Sequence, residues 1–118
     1  LTARDLQNNC RKNGLPWEVA KAFDGSAVLS EFIPLSDIDD INNINFSLKR
    51  NGEIVQEGNS VDLIFKFDQI IEHVSRYMTL KIGDLIFTGT PVGVGSMKSG
   101  DDFVGYLEGK EMIKLKVK

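Results

Sequence analysis

Arg4, Gln7 and Lys21 are the first side chains whose types could do chemistry together. A guanidinium offers a planar fork of donors, an amide offers donors and an acceptor, and an ammonium is a compact positive charge. Converging on one cleft, the three would suit a small dianionic acid such as a keto acid. Arg4 and Gln7 are three residues apart, so a helix would put them on one face. Each also has a plain structural reading: Arg4 can pair with a core carboxylate, and Gln7 can be a solvated helix residue. Lys21 interrupts the apolar run Val19-Ala20-Lys21-Ala22-Phe23, where a lysine either snorkels or is placed for a purpose.

The stretch Thr88-Gly89-Thr90-Pro91-Val92-Gly93-Val94-Gly95 is the second candidate. Its glycines let backbone amides approach a ligand, and Thr90 adds a hydroxyl, so its tip could take an anion. It lacks the Gly-Lys-Ser/Thr ending of a P-loop. The continuation Ser96-Met97-Lys98-Ser99-Gly100-Asp101 reads as a turn, which excludes a dinucleotide fingerprint. The plain alternative is a wide hairpin connection with no ligand.

The remaining reactive residues read as structural. His73 is the only histidine and Cys10 the only cysteine. Any metal site would therefore be built from oxygens, the preference of magnesium, manganese or calcium. Cys10 has no histidine nearby in sequence and reads as a small buried hydrophobe; His73 reads as a partly exposed residue in mid-helix. Asp37, Asp39 and Asp40 lack the spacing of a calcium loop and read as a solvated turn.

These residues need elements to position them. Thr2-Ala3-Arg4-Asp5 has capping-box spacing, which predicts a helix starting at Thr2, running through Leu6, Gln7 and Cys10, and stopping near Asn13-Gly14. Between Trp17 and Pro34 the pattern predicts a structured loop or short extended segment, not a linker, with a turn at Asp24-Gly25-Ser26. Ile44, Phe46 and Leu48 alternate with polar residues, and Asn51-Gly52 then suits a type I′ turn before Ile54 and Val55, so a hairpin is expected. Ser60 is the expected cap of a second helix carrying Leu63, Ile64, Phe67, Ile70, Ile71, Val74 and Met78, with Asp62 in its first turn. Leu85-Ile86-Phe87 reads as a short buried strand. Phe103 to Leu107 and Met112 to Val117 read as strands around a turn at Gly109-Lys110, the last with its lysines on the outer face.

A chain of 118 residues, 42% hydrophobic, carries one domain rather than two. Its net charge of -3 supplies no field toward phosphate backbones or anionic lipid, so neither nucleic acid nor membrane is an expected partner. One cysteine excludes an internal disulfide and fits a reducing compartment. No apolar run approaches the ~20 residues of a bilayer span and no signal-peptide pattern opens the chain. The cytoplasm, or the mitochondrial matrix, is the expected location. The opening without Met, within a helix cap, reads as the later part of a longer sequence.

Several segments carry a likeness in order and spacing. They are Leu-Thr-Ala-Arg-Asp-Leu-Gln at 1 to 7, Gly-Leu-Pro-Trp with Ala-Lys-Ala-Phe-Asp in 14 to 24, and Asn-Gly-Glu with Gln-Glu-Gly in 51 to 58. Leu-Ile-Phe at 63 to 65 and Gly-Asp-Leu-Ile-Phe-Thr-Gly-Thr-Pro-Val-Gly-Val-Gly at 83 to 95 complete the set. Together they resemble the fumarylacetoacetate hydrolase family, in its acylpyruvase and oxaloacetate decarboxylase branch. One departure is Asn59, where the family's Gly-x-Thr-Ser step usually has Thr.

The resemblance implies a mainly β, α+β fold, a mixed β-roll with flanking helices, of which residues 1–118 are the C-terminal part. It implies a homodimer and a small keto-acid substrate. The implied cofactor is Mg2+ or Mn2+, held by a Glu-x-Glu pair and an Asp that all lie before Leu1, as do an acid-base His and Glu in a lid. By the same resemblance Gln7, Lys21 and Thr90 contact substrate oxygens, and Arg4 supports the site. The implied activity is hydrolysis or decarboxylation at a C–C bond of acylpyruvates or oxaloacetate through a stabilised enolate. Isomerisation or decarboxylation of hydroxymuconate-type acids, and binding of a small acid without turnover, are the alternatives.

Overall fold

In the computed structural model, which describes residues 1–118 throughout, the first helix does not start as its capping box predicts. Helix α1 spans Arg4–Asn13 with Ala3 at the cap position and no side chain satisfying the first amides. The Thr2 hydroxyl is engaged elsewhere: it accepts a hydrogen bond from Lys21 Nζ at 2.7 Å. Ala in place of a capping hydroxyl costs about 1 kcal/mol, so the chain forgoes a local stabilisation to hold that lysine. Asp5 is left in the first turn, where the helix dipole favours a carboxylate without a capping contact. The far end follows expectation, with Gly14 left-handed at φ 61 and the Leu15 amide bonded back to the Cys10 carbonyl.

Residues Leu1–Ser30 form one compact unit and Glu31–Lys118 a second. In the first unit the segment read as loop contains a one-turn helix, α2, at Glu18–Lys21. It packs on α1 through Ala20, which is fully buried, and the Ala3 amide donates to the Ala20 carbonyl at 3.1 Å. Four residues are too few to show a helical period, which is why the pattern did not reveal it. The turn expected at Asp24-Gly25-Ser26 is present, closed by the Ser26 amide on the Phe23 carbonyl.

The second unit is built on two hairpins. Strands β1 (Asn45–Arg50) and β2 (Glu53–Asn59) join through Asn51 and Gly52, at φ 52 and φ 88, as a type I′ turn requires. Strands β3 (Asp102–Leu107) and β4 (Lys110–Lys116) join through Glu108 and Gly109, one residue earlier than expected. All pairings are antiparallel, in the order β2-β1-β3-β4. The mainly β, α+β class of the sequence reading therefore holds. In β4, Ile113 and Leu115 are half-buried while Lys114 and Lys116 are exposed, the pattern of a protected edge strand.

Two bulges re-aim the outer strands. Leu48 faces Gln56 but Lys49 faces Ile54, so Val55 is left without a partner in β2; Met112 is skipped in the same way in β4.

Two sequence expectations fail in the long connection between the hairpins. Ser60 is no helix cap: it is buried, accepts from the Ile44 amide at 2.8 Å and donates to the Ile41 carbonyl at 2.9 Å. Ser60–Asp62 is instead a single 3-10 turn capped by Asn59, and helix α3 spans only Phe67–Ser75. Its first amide is met by Gln69 reaching back to Lys66 N at 2.8 Å, while Lys66 Nζ holds the Val61 carbonyl. Leu85-Ile86-Phe87 is neither strand nor buried, because no strand of residues 1–118 pairs with it.

The sheet's central seam is clasped at the Asn51 turn. Asn51 Nδ2 donates to the Asp101 carboxylate and the Asp102 amide donates to Asn51 Oδ1, each at 2.9 Å. The Asn51 amide, then the Lys98 backbone N–H, hold Asp101 below its ordinary pKa of 3.8. A lowered folded-state value means this contribution to stability is complete above 3.8 and is lost as pH falls through the lower value. Carboxyl-carbon NMR of the intact protein should show Asp101 titrating below 3.8. In Asn51→Gly, which keeps the positive φ but deletes the amide, the midpoint should move up. An unmoved midpoint would assign the shift to the Lys98 amide and not to the clasp.

Candidate functional site

In the first unit, α1 and α2 bring three of the four expected residues onto neighbouring turns. Arg4 Nη1 donates to Gln7 Oε1 at 2.6 Å across one helical turn. Gln7 is only 5% exposed, so its amide is held rigidly between α1 and its surroundings. With a guanidinium donating to its oxygen, the donors of Gln7 are the Nε2 hydrogens at the other end of the amide. Arg4 thus fixes which end of the amide is its oxygen and which its donor nitrogen.

The same logic governs Lys21. It closes α2, where the dipole favours a cation, and its head group is exposed at the end of a helix rather than wrapped in apolar neighbours. Its bond to Thr2 sets both partners: an ammonium only donates, so the Thr2 oxygen accepts and the hydroxyl hydrogen is free for another acceptor. Thr2 was assigned to capping by the sequence pattern, and its role as the anchor of Lys21 was missed. The signal available was competition, since a hydroxyl near a helix start serves either the amides or a side chain.

In the second unit the Gly-rich segment is a loop whose shape is imposed by β2. Gly93 has φ 96, and a Cβ there would stand 2.1 Å from the Val55 carbonyl oxygen, so only glycine allows the approach. Val55 is the bulged residue of β2, so the bulge directs its carbonyl at the loop. Beside it Gln56 Nε2 reaches Thr90 Oγ1 at 2.9 Å, the Pro91 carbonyl at 3.2 Å and the Val92 carbonyl at 3.4 Å. Thr90 is exposed at the loop surface. The segment 96–101 is a turn, as its sequence implies, with the Asp101 amide bonded to the Lys98 carbonyl.

The residues given structural readings behave accordingly. Cys10 is 3% exposed, and His73 is a surface residue tilted against the Tyr77 ring. Asp37, Asp39 and Asp40 are exposed, and Asp40 closes a turn through the Asn42 and Asn43 amides. No group of three or more His, Cys, Asp or Glu side chains comes together to hold a metal. The donor set of residues 1–118 therefore does not by itself fit Mg2+ or Mn2+, each of which needs convergent oxygens. No helix is long and apolar enough to cross a membrane.

Comparison with known proteins matches the whole chain, residues 1–118, to the model described as fumarylacetoacetate (FAA) hydrolase C-terminal. Oxaloacetate tautomerase FAHD1, mitochondrial, of Bos taurus is 46% identical over 117 residues, covering 99% of this chain and 53% of that protein. Oxaloacetate tautomerase YcgM of Escherichia coli (strain K12) is 45% identical over 113 residues, covering 95% and 52%. Among solved structures, fumarylpyruvate hydrolase from Pseudomonas aeruginosa, in complex with Mn2+ and pyruvate, superposes with a TM-score of 0.92 at 37% identity, covering 98% of this chain and 50% of that one. The chain spans about half the length of the curated relatives it matches.

Proposed function

The chain belongs to the fumarylacetoacetate hydrolase family, and from that premise we propose that the intact protein processes small keto acids through their enolates, with oxaloacetate tautomerisation as its first activity. The observation that carries the proposal is the donor cluster on α1 and α2, where Arg4 holds the Gln7 oxygen and Thr2 holds the exposed Lys21 ammonium.

The chemistry follows from where charge develops. When a base takes a proton from C3 of oxaloacetate, a role the family resemblance gives to residues before Leu1, negative charge builds on the oxygen at C2, and returning the proton to that oxygen gives the enol. Lys21 is assigned to that oxygen, where a preorganised cation acts more strongly on the enolate than on the ketone. Gln7 Nε2 and the Thr90 hydroxyl are assigned to substrate oxygens, and Arg4 holds Gln7 in place. A Schiff base at Lys21 is not required, since a cation beside the C2 oxygen already serves as the electron sink. A divalent cation would supply further charge stabilisation, and its ligands would come from outside residues 1–118.

C–C cleavage is the second reading, favoured by the likeness to fumarylpyruvate hydrolase. Breaking an acylpyruvate releases pyruvate enolate, so the charge to be held is on the same oxygen; only an activated water must be added. The same residues would serve both reactions. A homodimer, in the cytoplasm or the mitochondrial matrix, is the assembly and location proposed for the intact protein.

The test uses the intact protein on oxaloacetate, acetylpyruvate and fumarylpyruvate, with Mg2+ or Mn2+ and with chelator. The expected result is rapid keto–enol exchange of oxaloacetate, abolished by chelator, with cleavage of the acylpyruvates slower. Cleavage faster than exchange would install the second reading. No turnover of any of the three with metal present would reduce the protein to a small-acid binder.

A further inference from the structure

We infer that Gln56, on β2, is a positioning residue that makes Thr90 a hydrogen-bond donor toward an anionic ligand; the inference rests on Thr90 being a substrate contact, as proposed above.

The argument is one of donor and acceptor capacity. The end of the Gln56 side chain faces two backbone carbonyls, of Pro91 and Val92, which can only accept. The amide must therefore present its nitrogen to them, so its orientation is fixed by the acceptors it faces. Of that nitrogen's two hydrogens, one goes to Thr90 Oγ1 at 2.9 Å and the other is shared by the Pro91 and Val92 carbonyls at 3.2 and 3.4 Å. An amide nitrogen only donates, so the Thr90 oxygen must accept, and the hydroxyl's single hydrogen is directed away from Gln56. Thr90 makes no other side-chain hydrogen bond in the protein, and it is exposed. What it shows to a ligand is an O–H donor, suited to a carboxylate or enolate oxygen and unsuited to an N–H.

Gln56 can do this because of the bulge. Val55 drops out of the ladder, Gln56 pairs with Leu48, and the Val55 carbonyl meets the loop at Gly93. The loop is thus held on both sides of Val92, and a half-buried side chain with no charge decides the polarity of an exposed one. This device parallels Arg4 acting on Gln7, but here the fixing group is neutral and contributes no charge of its own.

The experiment is a double-substitution cycle in the intact protein, read by oxalate affinity in calorimetry and by kcat and KM for oxaloacetate. Oxalate is the probe because it is a small dianion with adjacent carboxylates. Gln56→Met keeps the volume and removes the donor. The expected result is oxalate binding weakened about 5- to 10-fold, the size of one hydrogen bond, with KM raised and kcat within about twofold, since the carboxylate contact is made equally in ground and transition states. Thr90→Val should weaken oxalate at least as much. In the Thr90→Val background, Gln56→Met should change affinity by less than about twofold, because the group it acts through is gone.

If the two effects multiply independently, or if kcat falls with KM unchanged, Gln56 is a loop brace only and the inference is overturned. If Thr90→Val leaves oxalate affinity unchanged, the substrate contact itself fails, a separate outcome that overturns the premise. Should Gln56→Met not fold, Gln56→Asn, whose amide is one carbon too short to reach, replaces it in the same cycle with the same expectations.

Discussion

Lys21→Ala in the intact protein should lower turnover of oxaloacetate about 100- to 1,000-fold, the cost of removing a preorganised donor from a developing oxyanion. The reason lies in how the ammonium is held. It sits at the end of α2, anchored to Thr2 at 2.7 Å, so in the role proposed for it the ammonium would not first have to be ordered. Lys21→Arg should not restore the rate, because a planar guanidinium on a longer stem cannot place one point charge at that position. Thr2→Val, which deletes only the anchoring oxygen, should fall between wild type and Lys21→Ala, at about a 5- to 10-fold loss. Steady-state rates with product formation followed directly give all three numbers. Near-normal turnover by Lys21→Ala would return Lys21 to the role of a snorkelling surface residue and would leave the helical donor cluster as a binding feature.

The parts of the molecule that were legible in the sequence are those fixed by local rules. Asn51-Gly52 demands positive φ at two consecutive residues, and the hairpin follows from it. Gly14 ends α1 for the same kind of reason. What misled was long-range competition for a polar group. Thr2 and Ser60 both stand at cap positions by spacing, yet the first hydroxyl goes to Lys21, nineteen residues on, and the second to the Ile41 carbonyl and the Ile44 amide. A side chain's best partner is chosen by the fold, and a cap worth about 1 kcal/mol is easily outbid.

Candidate site residues divide along the same line. Arg4 and Gln7 were visible because helical spacing alone puts them together. Gln56 was not, because its position depends on the bulge at Val55. The adjacent apolar pair Ile54-Val55 was the available sign, since it breaks strict alternation, but a break in alternation does not say where the displaced side chain will point. The strand reading of Leu85-Ile86-Phe87 failed for a related reason, since a strand is defined by its partner and residues 1–118 supply none.

The 118 residues expressed alone should bind neither Mg2+ nor Mn2+ stoichiometrically and should turn over no keto acid, although the intact protein is expected to do both. Ligand count is the first ground: no three potential ligand side chains converge anywhere in the chain, and a hard dication does not surrender its water for fewer. Asp5, the acid nearest Arg4 and Gln7 in sequence, is exposed in the first turn of α1 and is the only carboxylate on that helix. Burial is the second ground. The buried apolar residues are Cys10, Ala20, Ile44 and Phe103, no large side chain is fully buried, and Ile64 and Phe32 stand 90% and 75% exposed. A core of that size falls short of offsetting the entropy of ordering such a chain, and the uncovered apolar surface favours association. Gel filtration should therefore show aggregates or a broad profile for the isolated chain. Calorimetric titration of Mg2+ and Mn2+ into whatever remains soluble reads the metal directly. A stoichiometric site of micromolar affinity would mean that the ligands lie within residues 1–118, and would overturn their assignment to the rest of the intact protein.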